Sequence, residues 1–364
     1  MGLLKNIFGA KEKKPETNQD FWDWFVKNES EFYEVVKNGN NIEKNFFDKM
    51  SPKLSNIKEG IFFLTGMSEN KAELILSADG NLKNIAFVEE LVDDAPSLKN
   101  WTFIAHKPSI NMEDFAIRMG GFEFNTQNLM FVANYDKKYP DEINITVIHK
   151  ELNEENRPQI TNGVYIYLDN FLGELTFAKD IDVISIEGVD KLKDYAQPIS
   201  ELKEYLSLRS EEFVEKYDSD QYDISKDSFS LLEAKLKNGA VLLASINATI
   251  LNWDRKASHP WICIFIIRYK KSNDAALPNE MDNQVMYEIE DELTETLKDK
   301  DGYLHVGRET ADGAREIYFA CKDFRKPSKV FYEISKKYSQ NFKMEYELFK
   351  DKYWKSLEKF NIKK

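Results

Sequence analysis

The sequence predicts an α+β protein with two domains, and three observations lead to this fold class. The chain has 364 residues, and one domain usually takes about 100 to 200 of them. Apolar residues make up 42% of the chain and aromatic residues 13%, which is enough for two packed cores. From about Pro260 the hydrophobic pattern runs strand, helix, strand, tight turn, strand, helix, strand. This βαββαβ order is typical of a ferredoxin-like sandwich, a fold that hosts many unrelated functions.

The first domain is predicted to span residues 19–216, after a flexible N-terminus of residues 1–18. It opens with a helix at 19–37, whose aromatic side chains recur at helical spacing and therefore predict a helix face that packs on a sheet. The remaining elements predict an α+β domain with a mostly antiparallel sheet. They are strands near 60–66, 72–78, 101–106, 122–124, 128–134, 143–148 and 181–186, and helices near 81–94, 159–172 and 190–216.

Residues 217–226 are predicted to be a linker between the two domains. The segment is acidic and polar, and it is short of apolar residues. Its Asp218, Asp220 and Asp223 suggest a calcium loop, but the sixth position is not glycine and no glutamate closes the loop. The segment therefore predicts a domain boundary and no metal site.

The second domain, residues 227–364, is predicted to begin with a β-hairpin. Its strands are residues 229–236 and 241–250, joined through Asn238 and Gly239. An Asn-Gly pair between two apolar runs is the strongest short-range signal for a hairpin.

The hairpin leads into the ferredoxin-like part of the domain. Residues 261–268 (WICIFIIR) are apolar on both alternating faces, which predicts a central strand that is covered on both sides. Helices at 279–297 and 327–338 would cover one face of the sheet. The other face also needs a cover, which the first domain or the hairpin would have to supply.

Three later segments carry a resemblance to a known family. Residues 301–308 (DGYLHVGR), 312–319 (DGAREIYF) and 351–354 (DKYW) resemble the bacterial domain of unknown function 695. The likeness covers roughly residues 226–360. The family has no established activity, so the resemblance implies a fold and no catalytic residues. In layout the domain is also distantly similar to the small acidic protein inhibitors of ribonuclease E, which implies RNA regulation as one alternative.

The best group of polar side chains lies on the hairpin within this motif. It consists of His305, Arg308, Asp312, Arg315 and Glu316. Because alternate residues of a strand share a face, His305 and Gly307 should face one way and Arg308 the other. Arg315 and Glu316 should likewise point in opposite directions, so the five groups are not expected to converge. One interpretation is an arginine–carboxylate pair that holds the register of the hairpin; the other is binding of an anionic partner through Arg308 and Arg315.

The sequence contains no recognisable catalytic, cofactor or metal motif. It has no phosphate-binding glycine loop, no nucleophile elbow and no zinc-protease motif. His149 and Glu151 have the spacing of a zinc deaminase motif, but no paired cysteines follow them. We therefore predict no catalytic residue, no metal and no cofactor.

Cysteine usage and the predicted topology together make a geometric prediction. The only cysteines are Cys263 and Cys321, far apart in the sequence and inside apolar runs. This pattern favours buried, reduced thiols in a reducing cytoplasm. In a ferredoxin-like strand order, the two cysteines should lie at the same end of neighbouring strands.

Charge is unevenly distributed along the chain. The formal net charge is −13, but residues 226–364 hold 25 basic and 22 acidic side chains, a net of +3, so the preceding residues carry −16. We therefore expect the intact chain to bind DNA and RNA no better than about micromolar at physiological salt. No apolar run approaches the length of a membrane span. The sequence does not indicate an oligomeric state.

The leading functional hypothesis is a cytoplasmic, non-catalytic protein-binding or regulatory module with an unidentified protein partner. A composition rich in Lys, Asn, Ile and Phe is typical of an AT-rich bacterial genome. The main alternative is a hydrolase or nuclease whose site lies at the domain junction and uses His305, Asp312 or Glu316. A regulator of RNA metabolism is a further alternative.

Overall fold

The protein is described by a computed structural model that covers residues 17–111, 116–191 and 193–361. Most of the predicted flexible N-terminus, residues 1–16, lies outside the described residues. Contacts divide the chain into two compact units. The first comprises residues 1–79 and 87–106, and the second comprises residues 80–86 and 107–364.

The chain contains both helices and strands, which form several separate and mostly antiparallel sheets, and the predicted α+β class is confirmed. The α-helices of the described residues are α1 (Asn18–Asn38), α2 (Asp48–Ile57), α3 (Leu82–Asp93), α4 (Arg157–Leu172), α5 (Glu174–Lys179), α6 (Leu202–Tyr217), α7 (Glu280–Thr296) and α8 (Arg325–Lys337). The strands are β1 (Phe62–Ser68), β2 (Lys71–Ser77), β3 (Trp101–Ala105), β4 (Ile117–Met119), β5 (Phe122–Phe124), β6 (Leu129–Asn134), β7 (Asn144–His149), β8 (Val183–Glu187), β9 (Gln197–Pro198), β10 (Phe229–Lys235), β11 (Val241–Asn247), β12 (Trp261–Arg268), β13 (Tyr303–Ala311), β14 (Ala314–Cys321) and β15 (Lys343–Lys350).

The first unit is built around the aromatic face of α1. Thr17 caps this helix, since its side chain accepts a hydrogen bond from the Asp20 backbone and the Asp20 side chain accepts one in return. The Trp22 ring lies 4.6 Å from that of Phe103 on the three-stranded sheet β1-β2-β3. Its indole nitrogen donates to the Leu91 carbonyl at 2.7 Å. The predicted packing of an aromatic helix face on a sheet is therefore confirmed.

The second unit begins with the sheet β8-β7-β6-β9 and the small pair β4-β5. All of these pairs are antiparallel except β7 with β8. The mostly antiparallel character is confirmed, although the strands form several separate sheets. The helix predicted at 190–216 begins only at Leu202, because Pro198 holds the preceding segment extended and a short 3₁₀ turn follows it.

The six-stranded sheet of the second unit confirms the predicted topology of the C-terminal part. Its order is β10-β11-β13-β14-β12-β15, and each neighbouring pair is antiparallel. The four strands β12 to β15, taken with α7 and α8, form the βαββαβ sandwich in the strand order of a ferredoxin-like sheet. The leading hairpin β10-β11 extends this sheet beside β13.

The second face of this sheet has a cover that the sequence prediction did not include. A 3₁₀ helix at Lys355–Phe360 places Leu357 and Phe360 against Ile264 and Tyr318 of the sheet, together with the buried Trp354. Trp354 adopts a left-handed backbone conformation with φ of 55°. Its indole nitrogen donates to the His259 carbonyl at 2.9 Å. The C-terminus therefore covers the face that the first domain or the hairpin was expected to cover.

The two cysteines lie where the topology predicts them. Cys321 of β14 pairs in register with Trp261, and Cys263 of β12 pairs with Phe319. Both thiols are free and buried, at the same end of neighbouring strands. The geometric prediction is confirmed.

These thiols should react slowly in the native protein. Burial, and then the adjacent Cys263, raise the pKa of Cys321 well above its ordinary value, and the thiolate is the reacting species. We expect dithionitrobenzoate to label both cysteines in urea at least about a hundredfold faster than in buffer, because reaction must wait for opening of the sheet. Rapid labelling of the folded protein would contradict the buried placement.

The predicted boundary at residues 217–226 falls inside the second unit. In this segment Asp220 pairs with Arg255 at 2.7 Å, and the Tyr222 ring lies 5.3 Å from that of Trp253. Farther along the chain, Lys352 donates to Asp182 at 2.8 Å. Whether residues 227–364 form a separate domain stays a prediction.

A fragment that begins at Ser225 tests this domain prediction. We expect it to fold alone with a cooperative urea transition and dispersed amide resonances, because its sheet has helices on one face and the C-terminal 3₁₀ helix on the other. It loses the Lys352–Asp182 ion pair, so its stability should be lower than that of the intact second unit. A molten or insoluble fragment would show that the C-terminal sheet needs the preceding residues.

Candidate functional site

A β-bulge in β13 determines which side chains meet on the helix-covered face of the sheet. The pairing of β13 with β14 shifts between His305 and Gly307, so the strict alternation of a strand is broken there. Gly307 has a φ of +137°, and a Cβ on it would lie 2.2 Å from the Ser245 carbonyl oxygen. Only glycine fits this approach of β13 to β11. The bulge turns Arg308 onto the same face as His305.

The structure brings three of the five sequence-predicted residues together. His305, Arg308 and Arg315 all face helix α7. Asp312 lies in the turn between β13 and β14, where it accepts hydrogen bonds from Asn238 at 2.9 Å and from Lys271. Glu316 lies on the opposite face of the sheet, where it accepts a hydrogen bond from Tyr318.

Three residues of α7 complete the group, and the sequence analysis did not identify them. Asn283, Tyr287 and Glu290 are spaced i, i+4 and i+7, so they lie on one face of the helix. The buried side chains of this helix are Met286, Ile289 and Leu293, and the carboxylate of Glu290 lies among them. The helical spacing of these three polar residues was the feature of the sequence that could have identified them as one group.

Glu290 is the acidic centre of the group. Its Oε1 accepts a hydrogen bond from Arg308 Nη1 at 2.8 Å and lies 3.4 Å from His305 Nε2. Burial works against its charged form, but His305 and Arg308 outweigh burial and hold the pKa of the Glu290 carboxyl below its ordinary value. The carboxylate therefore stays charged and compensates Arg308.

Arg315 is the more deeply placed arginine, and only 3% of it is exposed. Its Nε donates to Thr310 Oγ1 at 2.9 Å and its Nη2 donates to Asn283 Oδ1 at 2.6 Å. Both of these partners are neutral. Burial, and then the charge of Arg308, lower the pKa of Arg315, but a guanidinium remains protonated in proteins. Arg315 thus carries a buried positive charge without an ion-pair partner among the described residues.

One donor of Arg315 remains unused. Its Nη1 is buried and has no hydrogen-bond partner among the residues that the structure describes. The Tyr287 ring contacts both guanidinium groups, with its centre 4.7 Å from Arg308 Cζ and 4.8 Å from Arg315 Cζ. An unsatisfied buried donor costs about 1–3 kcal/mol, more when it is charged. An acceptor supplied by a ligand would remove this cost.

Both arginines line a pocket of about 450 Å³ between α7 and the strands β10, β11, β13 and β14. We call it the arginine pocket. Its floor is polar, with Arg308, Arg315, Thr310 and Asn283, and its walls include the apolar side chains of Leu231, Leu243, Leu277 and Pro278. The only acidic residue in its lining, among those described, is Glu233 on the exposed hairpin strand. The arrangement suits a ligand with one anionic group and an apolar body.

Two further findings concern the described part of the chain. No three His, Cys, Asp or Glu side chains in it lie close enough together to hold a metal ion. No helix in it is long and apolar enough to cross a membrane.

Comparison with known proteins finds a family match that contains most of the pocket lining, although Leu231, Leu232 and Glu233 of β10 precede it. The model of a family described as a family of unknown function (DUF695) matches residues 236–360. The resemblance predicted for the C-terminal part is confirmed over that range. The match includes both arginines of the pocket and the three residues of α7. No curated protein and no solved structure matches the chain significantly.

Proposed function

We propose that the protein is a non-catalytic binding module whose arginine pocket receives an anionic group of a protein partner. The observation that carries the proposal is the buried Arg315, which lines the pocket and whose Nη1 donor has no partner among the described residues. Arg308 lies beside it but is compensated by Glu290. The pocket therefore has one positive charge in excess of its buried acid.

A carboxylate is the anion that fits this charge best. The guanidinium group is planar and presents its donors as a fork that matches the two oxygens of a carboxylate. In a desolvated pocket such charge-assisted bonds are stronger than in water. The apolar walls favour a carboxylate attached to a hydrophobic group, such as an acidic residue beside an apolar one or the C-terminus of a peptide. We place the protein in the cytoplasm, which the two free, buried thiols support.

The placement of the other candidate residues favours binding over catalysis. His305 faces Glu290, Asp312 is held in the turn by Lys271 and Asn238, and Glu316 lies on the other face of the sheet. An acid–base pair must converge on one reacting atom, and these groups are turned away from one another. A hydrolase or nuclease that uses them has no observation in its favour.

Selection of peptides from a random display library tests the proposal. We expect the wild-type protein to enrich peptides that combine a carboxylate with apolar side chains. The substitutions Arg308→Gln and Arg315→Met should each lower the affinity for the selected peptides by about ten- to a hundredfold. The reason is that a lost hydrogen bond to a charged group costs about 1.5–3 kcal/mol. Fluorescence anisotropy measures the affinities, and a thermal melt of each variant verifies folding.

The matched control is Arg268→Gln, since Arg268 is an exposed arginine at the end of β12 that pairs with Glu345. It should leave peptide affinity unchanged. Arg308→Gln leaves Glu290 without its arginine, so the double variant Arg308→Gln with Glu290→Gln, which leaves neither charge unpaired, is the one that should fold even if Arg315→Met does not. Peptides that bind the folded Arg308→Gln variant as tightly as the wild type, or that carry no anionic group, would overturn the proposal.

A further inference from the structure

The hairpin strand β10 forms one edge of the six-stranded sheet. Leu231 in this strand is 85% exposed, the highest value for a large apolar side chain in the described part of the chain, and Phe229 is 48% exposed. An edge strand with exposed apolar side chains is a template for pairing with another strand. Natural edge strands usually avoid such side chains, so this edge is unusual.

The hydrogen bonds of the hairpin fix which backbone groups of β10 face outward. The Ala248 N–H donates to the Ser228 carbonyl, and the Leu236 N–H donates to the Ala240 carbonyl. Residues with even numbers in β10 are therefore bonded to β11, because bonded positions alternate along an antiparallel strand. The N–H and C=O groups of Phe229, Leu231, Glu233 and Lys235 point away from the sheet.

We propose that two copies of this chain pair edge to edge through β10, antiparallel about a twofold axis at Leu231. Each Leu231 would lie opposite Leu231 of the partner subunit, and the two sheets would join into one. The outward-facing residues of both strands would form about eight backbone hydrogen bonds, because the Asp227 N–H of each copy already donates to the Ile224 carbonyl. This inference is independent of the function proposed for the arginine pocket.

Charge selects this register over its neighbours. With the axis at Leu231, Asp227 lies opposite Lys235 of the partner subunit, so two cross-strand ion pairs form. Asp227 is extended and exposed, with φ of −56° and ψ of 131°, and can continue the strand. Moving the axis one residue toward the N-terminus would oppose Asp227 and Glu233, which are both acidic. Moving it one residue toward the C-terminus would set Asp227 against Lys237, which lies in the turn beyond the strand, so the ion pair would fall outside the ladder.

The pairing would also enclose the arginine pocket. Leu231 and Glu233 of the edge strand line the pocket, and side chains directly opposite in an antiparallel pair share one face. In the chosen register, Glu233 lies opposite Phe229 of the partner subunit. The partner subunit would therefore contribute an apolar wall to each pocket.

Sedimentation velocity over a range of concentrations tests the pairing. We expect a dimer with a dissociation constant of roughly micromolar. Leu231→Lys should give a folded monomer, since the side chain is exposed in a single copy. The control Leu208→Lys changes another exposed leucine, on α6, and should leave the dimer intact.

Charge reversal provides a test of the register. Asp227→Lys and Lys235→Asp should each weaken the dimer by roughly ten- to a hundredfold, and the double variant should restore it. In the same register, Leu231→Cys should form a disulfide across the axis, because bonded antiparallel Cα atoms lie about 5.5 Å apart. Phe229→Cys should not, because its copies would be about 14 Å apart.

Three results would overturn the pairing. They are a monomer at every concentration, a dimer that survives Leu231→Lys, and a double charge variant that is no tighter than the single ones. Peptide binding to the arginine pocket of a monomeric protein would leave the function proposed above intact, so the two proposals fail separately.

Discussion

Replacing Gly307 by alanine is expected to destabilise the protein by about 3–5 kcal/mol, because the new Cβ adds backbone strain to a steric clash. The alanine would have to adopt a φ of +137° with its Cβ 2.2 Å from the Ser245 carbonyl and 2.8 Å from Ile246 Cα. Relief of the clash requires separation of β13 from β11 or loss of the bulge. Either change moves Arg308 away from Glu290, so peptide binding should fall together with stability. Urea unfolding measures the first effect and anisotropy the second.

Substitutions at two other glycines separate the cost of backbone strain from the cost of the steric clash. Gly239 also has a positive φ, of +89°, but a Cβ there would meet no atom within 4 Å. Gly239→Ala should therefore cost only about 1 kcal/mol. Gly66 lies in β1, has no positive φ and also has open space around its Cα, so Gly66→Ala should be nearly neutral. A loss at Gly307 no larger than that at Gly239 would contradict the close approach of the two strands.

The substitution Glu290→Gln is expected to cost about 3 kcal/mol, because it removes the partner of a buried charge. Glu290 is only 5% exposed and compensates Arg308. The double variant Glu290→Gln with Arg308→Gln should recover part of this loss, since neither charge is then left alone. Glu345→Gln is the matched control. Glu345 pairs with Arg268 and Lys343 on the exposed edge of the sheet, and its removal should cost less than about 1 kcal/mol.

The charge of Glu290 should also affect how the free energy of unfolding depends on pH under acidic conditions. The pKa of Glu290 is lowered in the folded protein, below its ordinary value of 4.5. The unfolded state therefore binds this proton first, and the contribution of Glu290 is fully present above about pH 4.5. It is lost as the pH falls through the folded pKa. Below pH 4.5 the free energy of unfolding of Glu290→Gln should fall less steeply than that of the wild type, while Glu345→Gln should fall almost as steeply as the wild type.

His259 gives a second, separable pH effect. It is buried, and burial, followed by the charge of Lys322, lowers its pKa to about 3. The folded state therefore favours the neutral form of the His259 imidazole. Because the unfolded pKa lies at 6.5, this histidine destabilises the fold progressively as the pH falls from 6.5 toward 3. The two effects overlap only below pH 4.5, so the Glu290 variant can be compared with the wild type on either side of that value.

Much of the fold followed from local patterns that tertiary contacts did not override. The sequence of residues 261–268 is apolar on both faces, and this strand is indeed central, between β14 and β15. From that strand and the order of elements, the adjacency of Cys263 and Cys321 could be derived. The hairpin at Asn238 and Gly239 also formed, although its loop closes with the Leu236 N–H bonded to the Ala240 carbonyl and is one residue longer than a two-residue turn.

The candidate site could not be assembled in the same way, and the reason is a single residue. Strand alternation assigns His305 and Arg308 to opposite faces, and a bulge at Gly307 reverses that assignment. A bulge depends on the approach of a neighbouring strand, here β11, and leaves no pattern in its own strand beyond a glycine. Likewise, Glu290 occupies a buried helix position because two basic residues from another element meet it there. An apolar-stripe analysis has no means to expect a carboxylate at that position.

The most direct test of the arginine pocket is an NMR titration with hexanoate, which combines one carboxylate with an apolar chain. The Arg315 Nε–H group is bonded to Thr310 and buried, so its resonance should be observable. We expect this resonance to shift saturably with hexanoate, to stay unchanged with hexanol, and to lose its response in Arg308→Gln. An Arg315 resonance that does not respond, while exposed arginines such as Arg268 shift in proportion to concentration, would contradict the pocket as an anion-binding site.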